Sequence, residues 1–195
     1  MDMSMMPVIS LRHDDADALG QQLGDSFKTY GFATVVDHGL DPALVAKAWA
    51  LTKELFELPE SEKMGGYDKA LAGQRGYTPF KTEIAKGAAF HDLKEFWHVG
   101  RTMDPASPLA ASMLPNVWPP VPEFKETFET LYAEMDKVGA RILSSIALYL
   151  ELPADWFDTA IEDGNSILRL LHYPPIAGDA EGCIRAGAHE DINLI

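Results

Sequence analysis

The feature that most limits what this chain can fold into is a run of apolar residues, three or four positions apart, between residues 121 and 152. The stripe consists of Phe124, Phe128, Leu131, Met135, Val138, Ile142 and Ile146. This spacing places the side chains on one face of a long α-helix, and that face needs a core to cover it. Hydrophobic residues make up 47% of the 195 residues, so the chain can supply such a core. We therefore predict a folded protein of one domain, or of one domain and part of another.

The first 66 residues predict short strands that alternate with helices. Strands are predicted at 7–11 and 32–40, and helices at 14–31, 41–58 and 58–66. Gly31 is a helix-stop signal, because glycine adopts the left-handed conformation that commonly ends a helix. Asp41 followed by Pro42 is typical of a capped helix start.

Residues 65–120 are rich in glycine and proline, and we predict long loops around one or two strands there. A short helix is predicted at 153–161, and a strand at 165–175 that two prolines end. A last strand is predicted at 188–195. A helical first part followed by late strands indicates an α+β fold class.

The charge balance and the cysteine count restrict the partners and the compartment. The chain carries 16 basic and 30 acidic residues, a formal charge of -14, which argues against nucleic acid and against an anionic membrane as partners. Cys183 is the only cysteine, so the chain can form neither an internal disulfide nor a cysteine-based zinc cluster. The longest apolar stretch, near 142–150, is too short to span a bilayer. We expect a cytoplasmic protein without a membrane span.

His189 and Asp191 are the candidate metal ligands, because they stand two positions apart in the last predicted strand. Side chains at this spacing point to the same face of a strand, so an imidazole and a carboxylate could reach one ion. Two histidines and one carboxylate form the facial triad of non-haem Fe(II) oxygenases. On its own the pair is a weak signal, and a structural role is the usual interpretation of such a pair.

Several other stretches change that interpretation. In order along the chain they are "YGFATVVDHGL" (30–40), "RGYTPF" (75–80), "DLKEFWHVG" (92–100), "LRLLHYPP" (168–175) and "GAHEDINLI" (187–195). Together they resemble the isopenicillin N synthase-like family of Fe(II)/2-oxoglutarate-dependent oxygenases, and "HEDINLI" looks most like its bacterial members. The resemblance covers nearly all of the chain. It implies an enzyme that uses Fe(II), 2-oxoglutarate and O2 to oxidise a small-molecule substrate.

The same resemblance implies an architecture: a mixed helical N-terminal region followed by the first strands of a double-stranded β-helix, or jelly roll. Residues 1–120 would be the non-haem dioxygenase N-terminal region, 121–162 a long and a short helix, and 163–195 the incomplete start of the jelly roll. In the family, a second iron-binding histidine and an Arg-x-Ser sequence lie well beyond the position of Asp191. We therefore expect a truncated N-terminal fragment that lacks this histidine and does not turn over alone.

Carried over residue by residue, the resemblance makes His189 and Asp191 the first two iron ligands. Tyr173 matches a family tyrosine that contacts 2-oxoglutarate. Leu171 stands where many plant members have an asparagine, so the cosubstrate pocket is matched only in part.

Arg169 and His98 are the candidate substrate-binding residues. Arg169 shares a strand face with Leu171 and Tyr173, so it could pair with a substrate carboxylate or with one of the protein's many acids. His98 could line the mouth of a substrate pocket, although packing within a strand is the commoner role of such a histidine. His172 should point away from Tyr173, to the other face of the strand.

Charges outside these candidates are expected to be structural or solvated. Arg75 and Lys81 flank the "RGYTPF" loop and are predicted to be surface charges.

Two further functions stay open at this point. The fold could serve a ring-closing oxidase of the isopenicillin N synthase type, or an ethylene- or succinate-forming enzyme. Alternatively, the chain could be a non-catalytic remnant without a competent metal site. Neither the substrate nor the oligomeric state follows from the sequence.

Overall fold

The structure is a computed structural model that describes residues 6–12, 15–83, 91–176, 183 and 185–186. Its backbone divides into two compact units. The first unit comprises the residues up to Val45 together with Ala133–Gly164, and the second comprises Ala46–Tyr132 and the residues from Asn165 onward.

The first unit contains a parallel pair of short strands with a helix between them in sequence. β1 (Val8–Ser10) pairs with β2 (Thr34–Val36), and α1 (Ala16–Tyr30) is the crossover that a parallel pair requires. Asp15 begins α1, because its side chain accepts hydrogen bonds from two backbone N–H groups of the first turn. The helix ends at Gly31, whose φ of 77° is left-handed and whose N–H bonds back to the helix.

The core of the first unit forms between α1 and part of α4 (Phe124–Tyr149). Its buried side chains are Ile9, Leu11, Leu19 and Leu23, with Phe27, Val35, Val138 and Ile142 packed against them. Gly20 allows the two helices to approach closely, since a β-carbon at that position would lie 2.5 Å from the carbonyl oxygen of Ser145. The short helix α5 (Asp158–Ile161) also belongs to this unit.

The second unit contains most of α2 (Pro42–Glu57), the short α3 (Glu60–Lys63) and a three-stranded sheet. Three 3₁₀ turns lie at Met64–Gly66, Lys69–Leu71 and Ala110–Ser112. The strands of the sheet are β3 (Gly76–Thr78), β4 (Glu95–Gly100) and β5 (Ile167–His172). They pair in the order β3-β4-β5, and both pairings are antiparallel.

Aromatic side chains form the core of the second unit. Trp97 of β4 is fully buried and meets the ring of Phe124 edge-on, with 6.3 Å between centroids. Phe128 packs against Phe124 at 4.3 Å. Gly66 is needed beside this cluster, because a β-carbon there would lie 2.1 Å from the Trp97 ring. The core therefore fixes β4 as the central strand, and all six residues of β4 are buried.

Most of the predicted elements have counterparts in the structure. The helix predicted at 121–152 is α4, but the prediction is wrong for Met135, which is 45% exposed. Met135 belongs to the part of α4 that lies in the first unit, and it is not among the residues that form the core of that unit. The helix predicted at 153–161 shortens to α5, and the strand predicted at 165–175 is β5.

The strand predicted at 188–195 lies outside the described residues. Within the described part of the chain, no helix is long and apolar enough to cross a bilayer.

Candidate functional site

The register of the sheet sorts its side chains onto two faces. In the β4–β5 pair, Phe96 lies opposite Leu171 and His98 lies opposite Arg169, so these four side chains share one face. Glu95 and its neighbour across the strands, His172, lie on the other face. The predicted grouping of Arg169 with Leu171, away from His172, is therefore the arrangement found in the sheet.

His98 and Arg169 form a hydrogen-bonded pair on the first face. Arg169 donates from Nε to Nε2 of His98 at 2.7 Å, and Nδ1 of His98 lies 2.7 Å from the carbonyl oxygen of Gly73. One ring nitrogen therefore accepts and the other donates, which assigns the neutral imidazole with its proton on Nδ1. Burial first, and then the charge of Arg169, lower the pKa of His98 to about 4. His98 is only 3% exposed and is neutral at physiological pH.

A cavity of about 430 Å³ opens over this pair. Phe96 and Ile167 give it apolar walls, and Thr78, His98 and Arg169 give it polar ones. The guanidinium carbon of Arg169 lies 5.1 Å from the centroid of the Phe96 ring, within the range of a cation–π contact. Of the three side-chain nitrogens of Arg169, only Nε has a hydrogen-bond partner among the described residues, so the two terminal nitrogens are available to a ligand.

Arg75 supports the loop that reaches His98, and its predicted surface position is wrong. The side chain is completely buried. It donates from Nη1 to the carbonyl oxygen of Gln74 at 2.8 Å and from Nη2 to Oδ1 of Asn165 at 2.6 Å. Burial lowers the pKa of Arg75. Gly100 makes room for the guanidinium, because a β-carbon there would lie 2.1 Å from Cζ. A loop position adjoining polar sequence does not reveal such burial, which depends on a residue 90 positions away in the chain.

On the opposite face, one buried carboxylate joins three elements. Glu95 accepts from Lys63 of α3 at 2.8 Å, from the hydroxyl of Tyr77 of β3, and from Nδ1 of His172 of β5 at 2.7 Å. The ring of His172 also stacks on Phe56 at 5.0 Å. Burial by itself would raise the pKa of Glu95, but the hydrogen bonds outweigh it and hold the pKa below the ordinary value. Burial and the bond to Glu95 raise the pKa of Tyr77.

A second cavity, of about 440 Å³, adjoins Lys63, Tyr77 and Glu95. Both oxygens of Glu95 are already used within the protein. The neighbouring Lys94 is equally satisfied, since it lies 2.9 Å from Asp92 and 2.6 Å from Glu83. The charges of "DLKE" (92–95) therefore pair inside the protein, and the first face of the sheet is the better candidate site.

The predicted metal ligands, His189 and Asp191, lie outside the described residues. Within the described part of the chain, no group of three or more His, Cys, Asp or Glu side chains could hold a metal ion. Tyr173 is described: it follows β5, is partly buried, and its carbonyl oxygen accepts a hydrogen bond from Arg185 at 3.0 Å. Of the five predicted site residues, the structure thus brings together His98 and Arg169. The roles of Tyr173, His189 and Asp191 stay predictions.

Phe96 lines the cavity beside His98, in the run that could line the mouth of a substrate pocket. Thr78 also lines the cavity and went unpredicted as a site residue, because its stretch was identified only by resemblance. Thr78 could have been found by extending the alternation of a strand through 76–78, which places residues 76 and 78 on one face.

The sequence matches a known family over more than half of its length. A family model described as non-haem dioxygenase in morphine synthesis N-terminal matches residues 6–121. Among curated proteins, a proline hydroxylase of Petromyces alliaceus is 28% identical over 189 residues. A 2-oxoglutarate-Fe(II) type oxidoreductase of Emericella nidulans is 30% identical over 188 residues. The matches cover 92% and 91% of this chain but 57% and 54% of those relatives.

Solved structures give the same fold. A protein of Caulobacter crescentus assigned to the 2OG-Fe(II) oxygenase family is 45% identical, with a TM-score of 0.84 over 97% of this chain and 62% of that one. A Neurospora crassa protein in complex with alpha-KG and thymine is 24% identical, with a TM-score of 0.78 over 95% of this chain and 62% of that one. The chain therefore spans less than two thirds of the length of these relatives.

Proposed function

The chain belongs to the non-haem dioxygenase family, and on this basis we propose that it is part of an Fe(II)- and 2-oxoglutarate-dependent oxygenase of a small-molecule substrate. The observation that carries the proposal is the family match over residues 6–121. The Caulobacter crescentus structure supports it, because the chains are similar over 97% of this one. The reaction would release succinate and CO2, and the jelly-roll fold of such enzymes would begin near β5.

His189 and Asp191 would hold the iron. The chemistry of the donors fits, since a neutral imidazole and a carboxylate are two members of the two-histidine, one-carboxylate set that binds Fe(II). Asp191 would also offset part of the charge of the ion. Tyr173 would contact 2-oxoglutarate. The bound metal, with 2-oxoglutarate and O2, would supply the oxidising chemistry.

His98 and Arg169 would bind and orient the substrate. The neutral ring of His98 accepts a hydrogen bond from Nε of Arg169, and its other nitrogen is bonded to the backbone carbonyl of Gly73. The guanidinium thus lies over Phe96 in the wall of the cavity. Fixing a binding group before the substrate arrives reduces the entropy that binding costs. The apolar walls would exclude water from the reacting part of the substrate.

The proposal is tested by succinate release from 2-oxoglutarate with Fe(II), measured on the full-length protein that contains this chain. We expect His189→Ala and Asp191→Ala each to lower the rate at least ~100-fold, because a ligand of the metal is removed. His38→Ala is the matched control, since His38 lies in an exposed turn and should retain the wild-type rate. Wild-type turnover in either ligand variant would contradict the assignment, and substrate oxidation without succinate would favour a ring-closing oxidase.

A further inference from the structure

Thr78 carries a buried hydroxyl in the wall of the candidate site, and this hydroxyl has no partner within the part of the chain that the structure describes. Thr78 is 5% exposed, and no described residue makes a hydrogen bond to its Oγ1. Gly73 approaches this hydroxyl so closely that a β-carbon at position 73 would lie 3.1 Å from Oγ1. A buried hydroxyl without a hydrogen bond costs free energy, because it loses its bonds to water. Since Thr78 lines the 430 Å³ cavity, a group bound in that cavity can supply the missing bond.

Arg169 offers a positively charged hydrogen-bond donor at another part of the same cavity. Its Nε is bonded to His98, which leaves two parallel N–H donors, and this fork matches the geometry of a carboxylate. A phosphate could also use such a fork. The wall of the cavity is mostly apolar, which favours a small carboxylate over the more strongly hydrated phosphate.

Phe96 lies between these two polar groups. It is the partner of Thr78 across the β3–β4 pair and the partner of Leu171 across the β4–β5 pair. Two strand spacings separate β3 from β5, which is about 10 Å. The guanidinium of Arg169 shortens this gap by lying over the Phe96 ring. An occupant would therefore cross an apolar floor between its two polar ends.

The charge of the cavity favours an anion, although the whole chain is strongly acidic with a formal charge of -14. Lys69 and Arg169 both line the cavity. The one acidic residue in its described wall is Glu83, whose carboxylate lies 2.6 Å from Lys94. Lys94 also pairs with Asp92, and with Lys69 and Arg169 included the charges of these five residues still sum to a positive value. A locally positive cavity in an acidic protein selects for negative ligands.

We propose that the substrate is a small carboxylic acid that carries a second hydrogen-bonding group, with the acid bound by Arg169, the second group bound by Thr78, and the apolar part between them on Phe96. The proposal rests on the proposed function, since it assigns this cavity to the substrate. It makes Thr78 the residue that selects among acids of similar size. A substrate without the second group leaves the hydroxyl unsatisfied and binds more weakly.

Calorimetric titration of the full-length protein, without metal, tests the proposal with two probe sets. The aromatic set is 4-hydroxybenzoate, 4-hydroxybenzamide and benzoate, and the aliphatic set is 5-hydroxypentanoate, 5-hydroxypentanamide and pentanoate. In at least one set we expect the hydroxy acid to bind ~10-fold or more tightly than its amide, since a hydrogen bond to a charged group is stronger than one between neutral groups. It should bind roughly 3- to 10-fold more tightly than the acid that lacks the hydroxyl.

The variants assign each preference to one residue. Arg169→Gln should abolish the preference for acid over amide, and Thr78→Val should abolish the preference for the hydroxyl, whereas Thr78→Ser should keep it. Arg12→Gln and Thr130→Val are the matched controls, because both side chains are exposed and neither lines the cavity. Each control should bind like wild type.

Three results would overturn the proposal. They are equal binding of acid and amide, wild-type discrimination in Thr78→Val, and no saturable binding of either set. Saturable binding of 2-oxoglutarate that depends on Arg169 would assign the guanidinium to the cosubstrate and would also overturn it. None of these binding results depends on succinate release, so a failure of this proposal and a failure of the proposed function are distinguishable.

Discussion

His98 shows how burial sets the proton state of a single residue. The side chain is 3% exposed, and its partners are one carbonyl acceptor and one guanidinium donor. A protonated ring would present a second N–H to Arg169, which is already a donor, and would bury two cations together. Both effects favour the neutral form, in agreement with the lowered pKa of about 4. The histidine therefore holds Arg169 in position through a hydrogen bond without competing for an anion.

The proton state of His98 predicts a loss of stability in mild acid. Unfolded histidine titrates at 6.5, whereas folded His98 titrates at about 4, so the unfolded state binds more protons between these values. Stability should therefore fall as the pH falls, by about 2 kcal/mol from pH 7 to pH 5. Urea unfolding at both pH values measures this difference. His98→Gln should reduce it, and an unchanged pH dependence in that variant would show that another group is responsible.

At the scale of elements, the Glu95 network holds the sheet to the helix beside it. The carboxylate accepts from Lys63 in α3, Tyr77 in β3 and His172 in β5. These donors satisfy the charge of Glu95 in a place where water cannot. A buried pair of this kind contributes little beyond an apolar pair of equal size, but loss of one partner leaves an uncompensated charge. The network therefore specifies which elements meet.

Removal of Lys63 should destabilise the protein far more than removal of an exposed lysine. Lys63→Met leaves Glu95 without its cation, and we expect a loss of about 3 kcal/mol at pH 7. Lys137→Met is the matched control, since the Lys137–Glu134 pair is exposed and should contribute less than ~0.5 kcal/mol. Chemical denaturation of both variants gives the two values.

The loss of stability caused by Lys63→Met should depend on pH. The pKa of Glu95 is below its ordinary value of 4.5, so the stabilisation it gives is present above that pH and is lost as the pH falls further. The gap between wild type and Lys63→Met should therefore narrow in acid. Equal losses in the two variants at pH 7 would show that Glu95 is solvated in the folded state.

At the scale of the whole molecule, net charge is the dominant property. The formal charge is -14 and the sequence pI is about 4.7. Large apolar side chains are exposed on both units, among them Val8, Phe32, Trp49 and Trp156. Repulsion between like-charged molecules keeps such surfaces apart at neutral pH, and it vanishes near the pI. The prediction that the protein does not bind nucleic acid rests on this same charge and stays a prediction.

The protein should therefore associate near pH 4.7 and disperse again at neutral pH. Light scattering across pH 3.5–8 should show its maximum near the pI, and added salt at pH 7.5 should increase association. Circular dichroism on the same samples separates association of folded protein from association that follows unfolding. A scattering minimum near pH 4.7 would contradict the prediction.

The sequence by itself determined the order of elements and the family. Apolar residues three or four positions apart specify one face of α4, two prolines mark the end of the strand at β5, and Gly31 marks the end of α1, because these signals act between neighbours in the chain. The tertiary structure decided the rest. The register of β3, β4 and β5 brings His98 to Arg169. The Thr78 hydroxyl has no hydrogen-bond partner among the described residues, and distant Asn165 bonds the buried Arg75. Burial and pairing depend on residues that are far apart in sequence, and local patterns carry no record of which of them meet.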